Sequence, residues 1–223
     1  MNAGFRLIDM ENWPRREHFE AYFKNTPCTW SMTVQLDVTK LVRSGAKIYP
    51  ALLYACGKVA NRHEEFRMSL DEAGRPGVWD ELHTSYTVFH KDTETFSCLW
   101  TPYMEDPAEY YAAYQRDIER WGRVEGFEPQ PDVPKNIYYA SMLPWESFEG
   151  FNLNLQKGWE FMLPTFTFGR YTEHEGRFTL PLAIQVHHAA CDGFHACRFI
   201  AELRQTLDEL SGADFGGSAD LGE

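Results

Sequence analysis

Between Phe178 and Val186 apolar side chains fall at every second position, and past Gly193 the period changes, with Cys197, Ile200, Leu203, Leu207 and Leu210 along one helical stripe. A buried strand must therefore hand over to an amphipathic helix through the short stretch His187-His188-Ala189-Ala190-Cys191-Asp192. Phe178, Leu180, Leu182, Ile184 and Val186 alternate with Thr179, Pro181, Ala183, Gln185 and His187. Period two then places His188 on the larger apolar face, pointing inward, and His187 on the other. Imidazole is the side chain best suited to exchange a proton near neutral pH. Desolvation on an apolar face would keep the His188 ring neutral and available as a base. Asp192 suits an N-cap and Gly193 a turn, and neither needs a catalytic role for that.

The rest of the chain mixes helices and strands. Asn12 as N-cap and Pro14 in the first turn predict a helix over 13–25 with Phe19, Tyr22 and Phe23 on one face. Met32, Val34, Leu36 and Val38 mark a half-buried strand over 31–39, and Pro50 opens a second helix. Short strands are expected over 77–101, a third helix over 107–122, and strands over 137–142, 148–155 and 163–171. His174-Glu175-Gly176 reads as a hairpin tip, and the last helix spans 193–210. Without regular βαβ alternation, this order predicts an α/β fold, a two-layer sandwich with a mixed β-sheet. No linker or repeat divides residues 1–210, which form one domain in this reading; residues 211–223, rich in Gly, Asp and Ala, are expected to be a disordered tail.

A chain of 223 residues with 43% hydrophobic content can bury one sizeable core. The start lacks a basic region followed by an apolar one, and no stretch approaches a membrane span, so a cytoplasmic protein with no membrane partner is expected. Five cysteines without paired spacing fit free thiols, and a net charge of -12 argues against nucleic-acid binding. Neither a Walker A sequence nor GxGxxG is present, which disfavours nucleotide hydrolysis and hydride transfer. His187 and His188 face opposite ways on a strand and cannot readily share one zinc ion, so no metal is expected. A covalent role for Cys191 or Cys28 would need a base in contact with the thiol, which proximity in sequence does not supply.

His187-His188-Ala189-Ala190-Cys191-Asp192-Gly193 fits the HHxxxDG signature of acyltransferases that use coenzyme A thioesters. Together with residues 12–19, 33–37, 61–67, 86–90, 94–97, 144–148 and 151–155, in the same order, it resembles the chloramphenicol acetyltransferase family over about residues 1–210. The resemblance implies that family's fold and acetyl-CoA-dependent acetylation of the primary hydroxyl of chloramphenicol, by direct attack in a ternary complex. It implies His188 as general base, its tautomer held by its own backbone carbonyl, Ser141 as donor to the oxyanion, and Thr167 as holder of a water. Asp192 and Arg15 would form a buried ion pair shaping the site. Tyr22, Cys28, Thr87, Phe96, Phe151, Leu153 and Leu155 match acceptor-pocket positions, and Lys47, Arg170 and Tyr171 match positions toward the coenzyme, where local cations must oppose the acidic chain. A homotrimer with active sites between subunits is implied as well. Ala21 and Tyr139 depart from the family pattern and put the pocket's fine shape in question. Two rivals are a dihydrolipoamide acyltransferase core, which would bring lipoyl modules and Ala/Pro-rich linkers, and a drug-binding protein without catalysis.

Overall fold

A computed structural model of the chain describes residues 4–154, 161–212 and 215. In chain order the elements are β1 (Phe5–Leu7), α1 (Arg16–Glu20), β2 (Thr29–Asp37), α2 (Thr39–Ser44), α3 (Ile48–Arg62), β3 (Met68–Leu70), β4 (Pro76–Trp79), β5 (His83–His90), β6 (Thr95–Thr101), α4 (Pro107–Trp121), β7 (Ile137–Leu143), β8 (Thr165–Gly169), β9 (Thr172–His174), β10 (Arg177–His187) and α5 (Gly193–Glu209). Among the described residues a seven-stranded sheet runs β2-β10-β8-β7-β5-β6, with β9 also pairing β10, and a small sheet runs β1-β4-β3. The large sheet is mixed, as expected: β5, β7 and β8 run parallel and the other pairs antiparallel.

Strand alternation divides the large sheet into two chemically different faces. Tyr86, Tyr138, Ala140, Phe166, Phe168, Leu182, Ile184 and Val186 pack with α3 and α5 in the main core. α3 is buried along most of its length, because it lies between the sheet, α4 and α5. Gly57 lets it approach Tyr138, whose hydroxyl donates to the Leu53 carbonyl at 2.8 Å; a Cβ at Gly57 would lie 3.1 Å from that oxygen. On the opposite face, register aligns Thr33, Ala183, Thr167 and Ser141 across four strands, a row of small side chains that leaves room above the sheet.

Several sequence expectations need correction. The helix predicted over 13–25 is a five-residue α-helix followed by a π-helical turn, Ala21–Asn25. Asn12 does not cap it: its side chain donates to Asp9, and Arg15 holds the N-cap position without a side-chain cap. No strand forms over residues 148–154, and Leu155 lies outside the described residues. Of residues 211–223 the described ones are 211, 212 and 215, and Phe215 is fully buried against Tyr54 and Tyr111. No helix among the described residues is long and apolar enough to cross a membrane.

Candidate active site

The two adjacent histidines are placed the other way round from the period-two expectation. His187 is fully buried, whereas His188 lies just beyond the end of β10 and is only partly covered. Alternation misled here because β10 is an inner strand whose residues from Leu180 to His187 are buried on both faces, so phase does not separate inside from outside. His187 organises the turn. Its Nδ1 accepts from the Ala189 N–H at 3.1 Å, and its carbonyl accepts from Ala190 and Cys191 at 3.0 and 2.9 Å. The turn rests on a second core of Phe19, Met68, Val78 and Met162, into which Ala189 and Ala190 pack.

His188 is held by backbone and by stacking. Its N–H donates to the Cys28 carbonyl at 3.0 Å, one step beyond the β2–β10 ladder. Its ring lies 3.6 Å from that of Tyr22 with 4° between the planes, and Tyr22 is delivered by the π-helical turn, a distortion that recurs at functional sites. Nδ1 is buried and has no hydrogen-bond partner among the described residues, so the self-carbonyl bond implied by the resemblance is absent. Trp30 closes the turn from β2, its Nε1 donating to the Cys191 carbonyl at 3.0 Å. Burial raises the thiols of Cys28 and Cys191, and Cys191 is pushed far up, which suits packing and not nucleophilic attack.

Asp192 combines the two roles weighed from the sequence. Its Oδ1 accepts from the N–H groups of Phe194 and His195 at 3.0 and 3.4 Å as the N-cap of α5. Its Oδ2 accepts from Arg15 at 2.8 Å. The pair is less buried than expected, with 34% of the Asp192 side chain and 25% of that of Arg15 exposed. Burial pushes the Asp192 carboxyl up, but the Arg15 bond and the nearby His195 outweigh it and hold the group below the ordinary aspartate value.

The other predicted residues gather elsewhere. A cavity of about 630 Å³ is bordered by Ser85, Thr87, Phe96, Cys98, Tyr139, Ser141 and Leu153, among others. Ser141 donates to Thr167 at 3.3 Å, and Thr167 is 3% exposed. Phe151 does not line this cavity; it packs on Phe148, with its N–H donating to the Thr33 hydroxyl. Gln185, which the sequence reading did not single out, fastens this segment: its side-chain amide accepts from the Leu153 N–H at 2.8 Å and donates to the Leu153 carbonyl at 3.0 Å. Tyr139, one of the two departures from the family pattern, lines the cavity, its hydroxyl pushed up by burial and then by Glu128.

Of the residues proposed for the coenzyme, Lys47 starts α3 and borders a second cavity of about 570 Å³ with Tyr49, Tyr111 and Tyr114. Tyr49 borders both cavities. Arg170 is exposed beside Glu146 at 3.8 Å, and Tyr171 packs edge-on against Phe178. Among the described residues no group of three or more His, Cys, Asp and Glu side chains is placed to hold a metal ion.

Register measures how far His188 is from Ser141. His188 lies five residues past Ala183 on β10, and Ala183, Thr167 and Ser141 share one row, so Ser141 is two strands away. At about 3.3 Å per residue and 4.8 Å per strand the two are separated by roughly 19 Å, far beyond simultaneous contact with one reacting group. Within a single chain, then, the structure brings Tyr22, Cys28, Arg15 and Asp192 to His188, brings Thr87, Phe96, Leu153 and Thr167 to Ser141, and keeps the two groups apart.

Comparison with known proteins covers nearly the whole chain. The family profile described as "CAT: Chloramphenicol acetyltransferase" matches residues 1–204. A chloramphenicol acetyltransferase of Campylobacter coli is 54% identical over 205 residues, covering 92% of this chain and 99% of the relative. One of Vibrio anguillarum is 52% identical over 206 residues, covering 92% and 95%. Among solved structures, a chloramphenicol acetyltransferase with 23% identity superposes with a TM-score of 0.79, covering 92% of this chain and all of that one. The dihydrolipoamide acetyltransferase of Azotobacter vinelandii, 17% identical, superposes at 0.63 over 87% and 86% and shares the fold.

Proposed function

The chain belongs to the chloramphenicol acetyltransferase family, and on that premise we propose that it acetylates chloramphenicol from acetyl-CoA, with His188 as the base, at a site completed by a second chain. The primary hydroxyl of the drug gives its proton to Nε2 of His188 as its oxygen attacks the thioester carbonyl. The oxyanion so formed accepts a hydrogen bond from Ser141, an interaction worth about 3 kcal/mol in comparable sites. The tetrahedral intermediate then collapses, and the departing coenzyme A thiolate takes the proton back from His188. With Nδ1 buried, Nε2 is the nitrogen this reading assigns to the proton transfer.

The observation that carries the shared site is the separation of roughly 19 Å between the two half-sites, obtained from strand register. Each half is well built, yet neither contains both base and oxyanion donor. A closed ring of identical chains resolves this when His188 of one faces the cavity of the next. The proposal is a cytoplasmic homotrimer. Thr87, Phe96, Phe151, Leu153 and Leu155 form the acceptor pocket, joined by Tyr22 and Cys28 from the His188 side. Lys47, Arg170 and Tyr171 bind toward the coenzyme, and Thr167 holds a water beside Ser141. Metal plays no part.

Co-assembly tests the shared site. His188→Ala and Ser141→Ala chains are each nearly inactive alone; refolded together they should recover up to about a quarter of wild-type thiol release, since one neighbour pairing in four is intact. No recovery in verified mixed oligomers would place base and donor in one chain and end this proposal. Wild-type protein that binds chloramphenicol without releasing thiol from acetyl-CoA would refute the catalytic reading itself.

A further inference from the structure

The N-terminal turn of α5 carries an unusual capping box. In the common form a Glu or Gln at the third helical position reaches back to the N-cap N–H. Here that position is His195: its Nδ1 accepts from the Asp192 N–H at 3.1 Å while Asp192 Oδ1 accepts from the His195 N–H. The same Nδ1 lies 2.9 Å from Asp192 Oδ1. One nitrogen cannot serve both contacts. Unprotonated, it accepts from the backbone N–H; protonated, it donates to the carboxylate and leaves that N–H without its acceptor.

We propose that His195 is a positioning residue for the turn that carries His188, its unprotonated Nδ1 anchoring the Asp192 N–H, and that protonation there exchanges this bond for one to the Asp192 carboxylate. The inference rests on His188 being the base. Asp192 ends the turn that begins at His187, and its Oδ2 also holds Arg15, so a change at Oδ1 reaches both the turn and the residue that leads into α1 and Tyr22. Four charged groups act on the ring. Asp192 and Arg198 lie on its own helix and turn, Glu65 comes from the 3-10 turn before β3, and Arg15 precedes α1. Glu65 is paired with Arg198, and Arg15 with Asp192, which leaves the imidazole between two neutralised pairs. Burial lowers the His195 value below the ordinary one, against the pull of Glu65 and Asp192, so Nδ1 is an acceptor at neutral pH and the exchange falls on the acid side of about 6.5.

Full-length His195→Gln and His195→Leu proteins test this. Gln preserves an acceptor at the third position and cannot titrate, whereas Leu preserves packing and removes the acceptor. At pH 7.5 the Leu protein should lose about ten-fold in kcat with both KM values within about two-fold of wild type, and the Gln protein should stay within about two-fold in kcat. The acid limb of log kcat for wild type should contain a component that the Gln protein lacks. A Leu protein as active as wild type overturns the inference, as does a Gln protein as impaired as Leu or one that keeps the wild-type acid limb. Imidazole nitrogen shifts in labelled protein judge the bond without turnover. An unprotonated Nδ1 on His195 at pH 7.5 supports it and a protonated one overturns it, even where absence of thiol release by wild type has refuted His188 as base.

Discussion

At the scale of the single residue, His188 and Asp192 show how much chemistry depends on neighbours. His188 was singled out by its place in a short signature, yet its orientation comes from Tyr22 and Cys28, residues brought in from the other end of the chain. His188→Ala should lower kcat by about 10³-fold or more while chloramphenicol still binds, as measured by thiol release and by equilibrium binding. Ser141→Ala should cost about 10²-fold in kcat with little change in KM, which single-turnover kinetics can check. Asp192→Ala removes an N-cap and an ion pair together. With the pair about a third exposed, a loss of about 2 kcal/mol in unfolding free energy is expected, readable by denaturant titration. The Asp192 value is depressed in the fold, so its stabilisation is fully present above about pH 4, the unfolded value, and drains away as pH falls through the folded one. Arg15→Ala should weaken that acid-side dependence, which His195 then sustains alone.

Elements explain what local pattern could and could not foresee. The strand and helix that flank the turn, β10 and α5, follow directly from their periods of two and 3.6, and the Glu175-Gly176 tip between β9 and β10 has both residues at positive φ, as a tight hairpin requires. The strand expected over 148–155 does not form in the described residues 148–154. At Leu153 the partner is the Gln185 side chain, whose amide supplies the two hydrogen bonds that a neighbouring backbone would. No local pattern distinguishes a peptide partner from a side-chain one. Gln185→Leu should leave the protein folded and raise the KM for chloramphenicol about ten-fold, because Leu153 borders the cavity; an unchanged KM would show that this tether does not shape the acceptor pocket.

For the whole molecule, the decisive feature is the strand order β2-β10-β8-β7-β5-β6. It places His188 just past the end of one strand and Ser141 mid-sheet two strands away. Dissociated chains should therefore be inactive even when folded. Sedimentation and turnover measured at the same dilutions should fall together, and an active monomer would contradict the shared site. The acidic chain, at a net charge of -12, also makes an exposed cation at the proposed coenzyme site consequential. Arg170→Glu should raise the KM for acetyl-CoA and not that for chloramphenicol, most clearly at low ionic strength.

By itself the sequence determined the class of fold, the strand-turn-helix unit around His188, the capping role of Asp192 and the family, because these depend on side-chain period, turn chemistry and a contiguous signature. Tertiary structure alone decided which histidine is buried, that Tyr22 stacks on the other, that Gln185 binds Leu153, and that His188 and Ser141 are far apart. Each of these is a relation between segments distant in the chain, set by which strands become neighbours and in what register. A local pattern records the preference of a segment for one side of a sheet, but it carries no information about what the rest of the chain will place there.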